Sequence, residues 1–169
     1  MALLEIKKYP DPILKEKTLE VTDINGDLQT LIDNMIETMY AAPGIGLAAN
    51  QVGELKRLIV IDTSGRENKD SLIVIINPEI VEAEGRIDSE EGCLSVPGYV
   101  STIKRHGRVF VRGLDREGNP VEIEADGLLA RALQHEIDHL NGILFVDRLS
   151  PIKREFFRKR YKKLLKESS

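Results

Sequence analysis

The 169-residue sequence contains one cysteine and three histidines, no apolar run near the 18 residues that span a bilayer, and no internal repeat or low-complexity stretch. A solitary cysteine excludes an intramolecular disulfide framework, and a reducing compartment suits such a chain. The N-terminal MALLEIKKYPDP is broken by charge after a few apolar residues and offers no small-residue cleavage site, which disfavours secretion and membrane insertion. A cytoplasmic protein with no membrane partner is expected.

What is present is a globular composition, 41% hydrophobic and 31% charged, outside the region where disorder is expected. The length suits one domain over residues 1–169. A net charge of −4 conceals an asymmetry. Residues 150–169 hold eight basic side chains and two acidic ones, a net of +6, which leaves −10 on the rest. Such a tail suits a polyanionic partner or a solvated helix face.

Leu28, Leu31, Ile32, Met35, Ile36 and Met39 recur at helical spacing between Asp27 and Ala41, before Pro43 and Gly44. The runs 55–63 and 71–80 are dense in β-branched residues and predict strands. Val109 and Val111, then Val121, Ile123 and Ala125, alternate about the turn Asp115–Gly118 and predict a hairpin. Apolar spacing predicts a buried helix from Gly127 to Leu140, stopped at Asn141-Gly142, and Pro151 opens a basic C-terminal helix over 151–167, whose Phe156, Phe157, Tyr161, Leu164 and Leu165 allow one face to pack. Because the strands fill the middle and do not alternate with helices, the expected class is α+β. Antiparallel or mixed sheets would pack around the central helix, with further helices near each end.

That central helix contains Gln134-His135-Glu136-Ile137-Asp138-His139-Leu140, a His-Glu-x-x-His pattern. One helical turn separates His135 from His139, so both imidazoles reach one metal ion, while Glu136 lies about 100° round the helix and can handle protons on a water. Chance histidines are the competing explanation, but unpaired imidazoles and a carboxylate on an otherwise apolar helix are costly to bury. A catalytic site needs a third ligand. Downstream, the sixth residue after His139 is Phe145 and no histidine follows; Glu155 sits in the basic tail. Cys93, within Glu91-Gly92-Cys93-Leu94-Ser95, is ordinarily a small buried hydrophobe, yet it becomes the better candidate beside an incomplete two-histidine site. In Gly44-Ile45-Gly46-Leu47-Ala48-Ala49-Asn50-Gln51, small residues permit close backbone approach and the Gln51 amide can donate to an oxyanion. A nucleotide-binding glycine loop does not fit, since the third glycine is missing and a helix precedes.

GIGLAANQ (44–51), EGCLS (91–95) and QHEIDHL (134–140), in this order, closely resemble the three signature motifs of bacterial peptide deformylases. The similarity extends from YPDPIL to the C-terminal helix; Asn50 stands where that family most often has proline or a small residue. The resemblance implies a metal-dependent hydrolase of protein biosynthesis that removes the N-formyl group from the N-terminal formylmethionine of nascent polypeptides. It implies one divalent ion on Cys93, His135 and His139, Fe²⁺ in cells with Zn²⁺ or Ni²⁺ in purified protein. Glu136 would be the acid/base, and Gln51 with the Leu94 N–H would bind the oxyanion. Ile45, Leu128 and Ala132 would line the methionine pocket, with Gly46 and Gly92 beside the substrate backbone. The C-terminal helix would contact the ribosome, and a monomer is expected. Two other readings remain open at this point. A zinc peptidase would need a downstream ligand, and a metal-stabilised RNA-binding domain would need a fourth one, for which His106 is the spare histidine.

Overall fold

The computed structural model describes residues 2–168, apart from the side chains of Lys69, Leu165, Glu167 and Ser168. In chain order the elements are α1 (Gly26–Ala41), β1 (Gly46–Ala48), β2 (Leu58–Ile61), β3 (Ile73–Glu84), β4 (Ile87–Cys93), β5 (Val96–Arg105), β6 (Arg108–Leu114), β7 (Pro120–Asp126), α2 (Gly127–Leu140) and α3 (Pro151–Ser168). Short 3₁₀ turns connect several of them, including Ala49–Val52 and Phe145–Arg148. Strands β1-β2-β3-β6-β7 form one antiparallel sheet, and β4 and β5 form a separate two-stranded one. The α+β class expected from the sequence is the one observed, with all ladders antiparallel.

Strand β2, Leu58-Ile59-Val60-Ile61, is fully buried because both faces of the large sheet are covered. Ile59, Ile61 and Ile75 pack with Val109, Val111, Leu133, Ile137 and Leu140 on the α2 side. Leu58, Val60 and Ile76 pack with Leu28, Ile32, Met35 and Met39 on the α1 side. Burial on both faces makes such a strand read as a continuous apolar run without alternation. The Asn25 side chain caps α1 by accepting from the Leu28 N–H at 3.0 Å.

Helix α2 is layered between the sheet and the β4–β5 hairpin. Its apolar residues face the sheet, while Asp138 and His135 bond to Arg105 and Glu91 of the hairpin. Gly142, at φ +76°, supplies the left-handed residue just beyond its end. Phe157 and Tyr161 of α3 are buried beside Tyr9, Leu14, Val96, Ile103 and Phe145. The expected apolar face of α3 needs one correction: Phe156 is 69% exposed. Adjacent helical residues diverge by about 100°, so Phe157, Tyr161 and Leu164 share the packed face and Phe156 cannot join them. The Leu165 side chain lies outside the described residues.

Candidate metal centre

The segment 44–51 terminates α1 and then forms β1 and the 3₁₀ turn that carries Gln51. Gly46 is required by proximity: a Cβ there would lie 2.5 Å from Glu136 Oε2 on α2. Cys93 ends β4, immediately before the two-residue turn Leu94-Ser95. Between the pairs Glu91↔Ser101 and Cys93↔Val96 the register shifts, so β5 carries surplus residues over 97–100, and these form one wall of a cavity.

Three donor atoms converge at its floor. His135 and His139 Nε2 are 3.2 Å apart, Cys93 Sγ lies 3.3 Å from His139 Nε2, and all three atoms fall within 4.8 Å of one another. Ligands sharing one four-coordinate ion, with bonds of about 2.0–2.1 Å to nitrogen and about 2.3 Å to sulfur, stand about 3.3–3.6 Å apart. One thiolate and two imidazoles therefore fit a divalent transition metal in both chemistry and spacing.

A buried ion cluster holds this arrangement. The Arg105 guanidinium donates to Glu91 at 2.8 and 2.9 Å and to Asp138 at 2.6 Å, and Arg148 donates to Asp138 at 2.6 and 2.7 Å. Glu91 Oε1 also lies 2.8 Å from His135 Nδ1, which directs the opposite ring nitrogen toward Cys93 and His139. Burial alone would raise the Glu91 pKa, but the hydrogen bonds and charges of Arg105 and His135 hold the carboxyl well below its ordinary range. Burial likewise disfavours the His135 cation, and its bonds to Cys93 and Glu91 outweigh that, raising its pKa. Burial and the neighbouring His135 push His139 the other way, toward the neutral form that ligates metals.

Glu136 is 5% exposed, and its Oε1 has no partner in the protein. Burial pushes its pKa up to about 7, with His135 and Arg105 opposing and Glu91 adding to the shift. A carboxyl poised near neutrality both accepts and returns a proton. Gln51 is fixed through Oε1, which accepts from the Ala48 N–H at 2.9 Å. Its Nε2 donates to Ser95 Oγ at 3.0 Å and points at Cys93 Sγ, 3.6 Å away.

The cavity above these groups measures about 540 Å³. Ile45, Gly46, Gln51, Gly92, Cys93, Leu94, Leu128, Ala132, His135 and Glu136 all line it, and His139 lies just beneath beside Cys93 and His135, so the structure brings every site residue singled out in the sequence to one place. Ile45 and Leu128 are 38% and 44% exposed, as expected at a rim. Phe145 is no ligand; its ring stacks on His135 with centroids 6.1 Å apart. Glu155 is exposed on α3, and His106 bonds to the Gly85 carbonyl outside the donor cluster. Sequence reading left Arg105 without a role. The signal for it was Asp138, a charge inside an apolar helix that needed a buried cation.

Comparison with known proteins places this geometry in context. The polypeptide deformylase family model matches residues 3–155. The peptide deformylase of Thermodesulfovibrio yellowstonii is 69% identical over 162 residues, 96% of this chain and 98% of that protein. The Syntrophobacter fumaroxidans peptide deformylase is 58% identical over 169 residues, covering 100% of this chain and 99% of that one. Among solved structures, a Legionella pneumophila peptide deformylase superposes with a TM-score of 0.91 at 49% identity, covering 98% and 97% of the two chains. An Ehrlichia chaffeensis peptide deformylase in complex with actinonin gives 0.88 at 43% identity, covering 96% and 98%. With its signature segments converging on one cavity and a family match along nearly its whole length, the chain belongs to the polypeptide deformylase family.

Proposed function

We propose that Cys93, His135 and His139 hold the metal ion of this deformylase and that Glu136, Gln51 and the Leu94 main-chain N–H carry out its chemistry, residues 1–169 acting as one catalytic unit. The reaction is that of the family: the N-formyl group of the N-terminal methionine of a newly synthesised polypeptide is hydrolysed and formate is released. The observation that carries the residue assignment is the convergence of three donor atoms beside a buried, partner-free Glu136 oxygen.

When bound, a divalent ion supplies an electropositive centre that lowers the pKa of water and polarises a carbonyl. Glu136 takes the proton from the attacking water and returns it to the departing amine nitrogen, roles that its near-neutral pKa supports. Gln51 Nε2, already aimed toward Cys93, and the Leu94 N–H donate to the oxygen of the formyl carbonyl as charge develops on it. The Ile45 carbonyl accepts from the Asp62 N–H, and in an antiparallel ladder alternate residues face opposite sides. The Gly46 main chain therefore faces away from β2, available to an extended substrate backbone, with Gly92 on the opposite wall. Ile45, Leu128 and Ala132 offer an apolar lining for a methionine side chain.

Thiolate and imidazole donors suit Fe²⁺, Zn²⁺ and Ni²⁺; Fe²⁺ is the ion proposed in cells, with a thiolate site sensitive to oxidation. The basic outward face of α3 is proposed to contact ribosomal RNA, the chain acting in the cytoplasm as a monomer. Among the described residues, no helix is long and apolar enough to cross a membrane.

The test is formate release from a formyl-Met dipeptide, compared with its acetylated and unblocked counterparts, with metal analysis of the same sample. Glu136→Ala is expected to keep its metal and lose nearly all turnover. Substantial residual deformylation would refute the acid/base assignment.

A further inference from the structure

Asn50 is a buried amide for which the mechanism above has no use. It precedes Gln51 in the turn Ala49–Val52, is 0% exposed, and donates through Nδ2–H to the main-chain carbonyl of His139. That carbonyl already accepts from the Gly142 N–H at 2.9 Å, so its satisfaction alone does not account for the amide. The same two residues each keep one buried polar atom without a partner: Asn50 Oδ1, an acceptor, and His139 Nδ1. Among the described residues, the only other buried side-chain oxygen in that condition is Glu136 Oε1.

The chemistry of the ring connects these atoms. His139 Nε2 faces Cys93 and His135, so a His139 that ligates through Nε2 carries its proton on Nδ1. A buried N–H needs an acceptor, and the neutral imidazole on which ligation depends is fixed by the partner of its other nitrogen. His135 has that partner in Glu91. We infer that Asn50 is the positioning residue for His139: its Nδ2–H grips the His139 carbonyl, and when the ion is bound its Oδ1, unpaired in the structure, becomes the acceptor for the equally unpaired Nδ1–H, holding Nε2 toward the ion. The two histidines of one helix are then oriented from two different segments, one by a charged carboxylate of β4 and the other by a neutral amide beside Gln51.

This inference rests on the reading of His139 as a ligand, and the experiment separates the two. The full chain is stripped with chelator and titrated with Co²⁺, reading thiolate-to-metal and ligand-field absorption, with affinity from chelator competition. If wild type lacks the thiolate band, or His139→Ala binds as tightly as wild type, the ligand reading fails. If wild type binds and His139→Ala does not, Asn50→Leu, which keeps the volume and removes both polar contacts, is expected to weaken Co²⁺ binding about 10–100-fold. Asn50→Asp, which keeps an acceptor for Nδ1–H, is expected to recover most of that loss. Unchanged affinity in Asn50→Leu overturns the inference, as does an Asn50→Asp variant that is folded and as weak as Asn50→Leu. Should either variant fail to fold, the Zn²⁺ form of wild type decides by NMR. A His139 Hδ1 resonance with a strong NOE to the Asn50 side-chain amide protons supports the inference, and the absence of that NOE overturns it.

Discussion

The two β-hairpins of this chain have similar lengths and opposite characters. In β6–β7 the ladder runs without interruption from Arg108↔Asp126 to Leu114↔Pro120. Its inward residues, such as Val109, Val111 and Ala125, are apolar, and its charges, such as Arg108 and Glu124, are exposed and pair across the strands. In β4–β5 the register shifts beside Cys93, and beside the apolar Val96 and Ile103 the inward positions hold Ser89, Glu91, Cys93 and Arg105. The first hairpin is held by transfer of apolar surface from water, the second by charge and hydrogen bonding in a dry interior, where an unpaired group is far more costly. A scaffold element tolerates exchange of its charges; a site element does not.

Substitutions can break or sharpen that contrast. The largest effect is expected from Cys93→Ala, which removes one of three donors: bound metal, measured by elemental analysis, and formate release should both be lost. Arg105→Met leaves the Glu91 and Asp138 carboxyls short of their buried cation, and about 3–5 kcal/mol of stability should disappear in a denaturant titration. Gln51→Ala, reaching into the site from the sheet side, should fold and hold its metal while kcat falls about 10²–10³-fold.

A pH series examines the same hairpin more gently. Because the folded-state pKa of Glu91 lies below its ordinary 4.5, its stabilising contribution is complete above that value and is lost as pH falls through the lowered one. The urea midpoint of wild type should therefore drop more steeply below about pH 4.5 than that of Glu91→Gln. The smallest effect belongs to the other hairpin: Arg108→Ala should cost at most about 1 kcal/mol and leave formate release unchanged, because its partner Glu124 is equally exposed. A large loss there would erase the distinction between the hairpins.

The same contrast explains what could be read in advance. Strands β6 and β7 were legible because their inward residues alternate with charges about a clear turn, and α1 and α2 because their apolar residues repeat at helical spacing. β4 and β5 were not, since Ser89, Glu91 and Arg105 occupy inward positions and break the apolar alternation, which Val96 and Ile103 alone do not supply. The segment 44–51 carries no strand pattern of its own, yet three of its residues join the sheet as β1 by pairing with β2 beyond the intervening turn. Phe156 was expected to pack and does not, because composition cannot say which of two adjacent aromatic residues faces inward.

His135, Glu136 and His139 were set by sequence alone, since helical periodicity is local and fixes which side chains share a face. The single cysteine was a candidate on the same grounds of chemistry. Only the tertiary structure decided that Cys93 meets the histidines, that Gly46 makes room for Glu136, and that Arg105 bridges Glu91 and Asp138. Those contacts join residues far apart in the chain, and they exist because packing α2 between the sheet and the β4–β5 hairpin buries polar groups whose desolvation is offset only when each finds its partner.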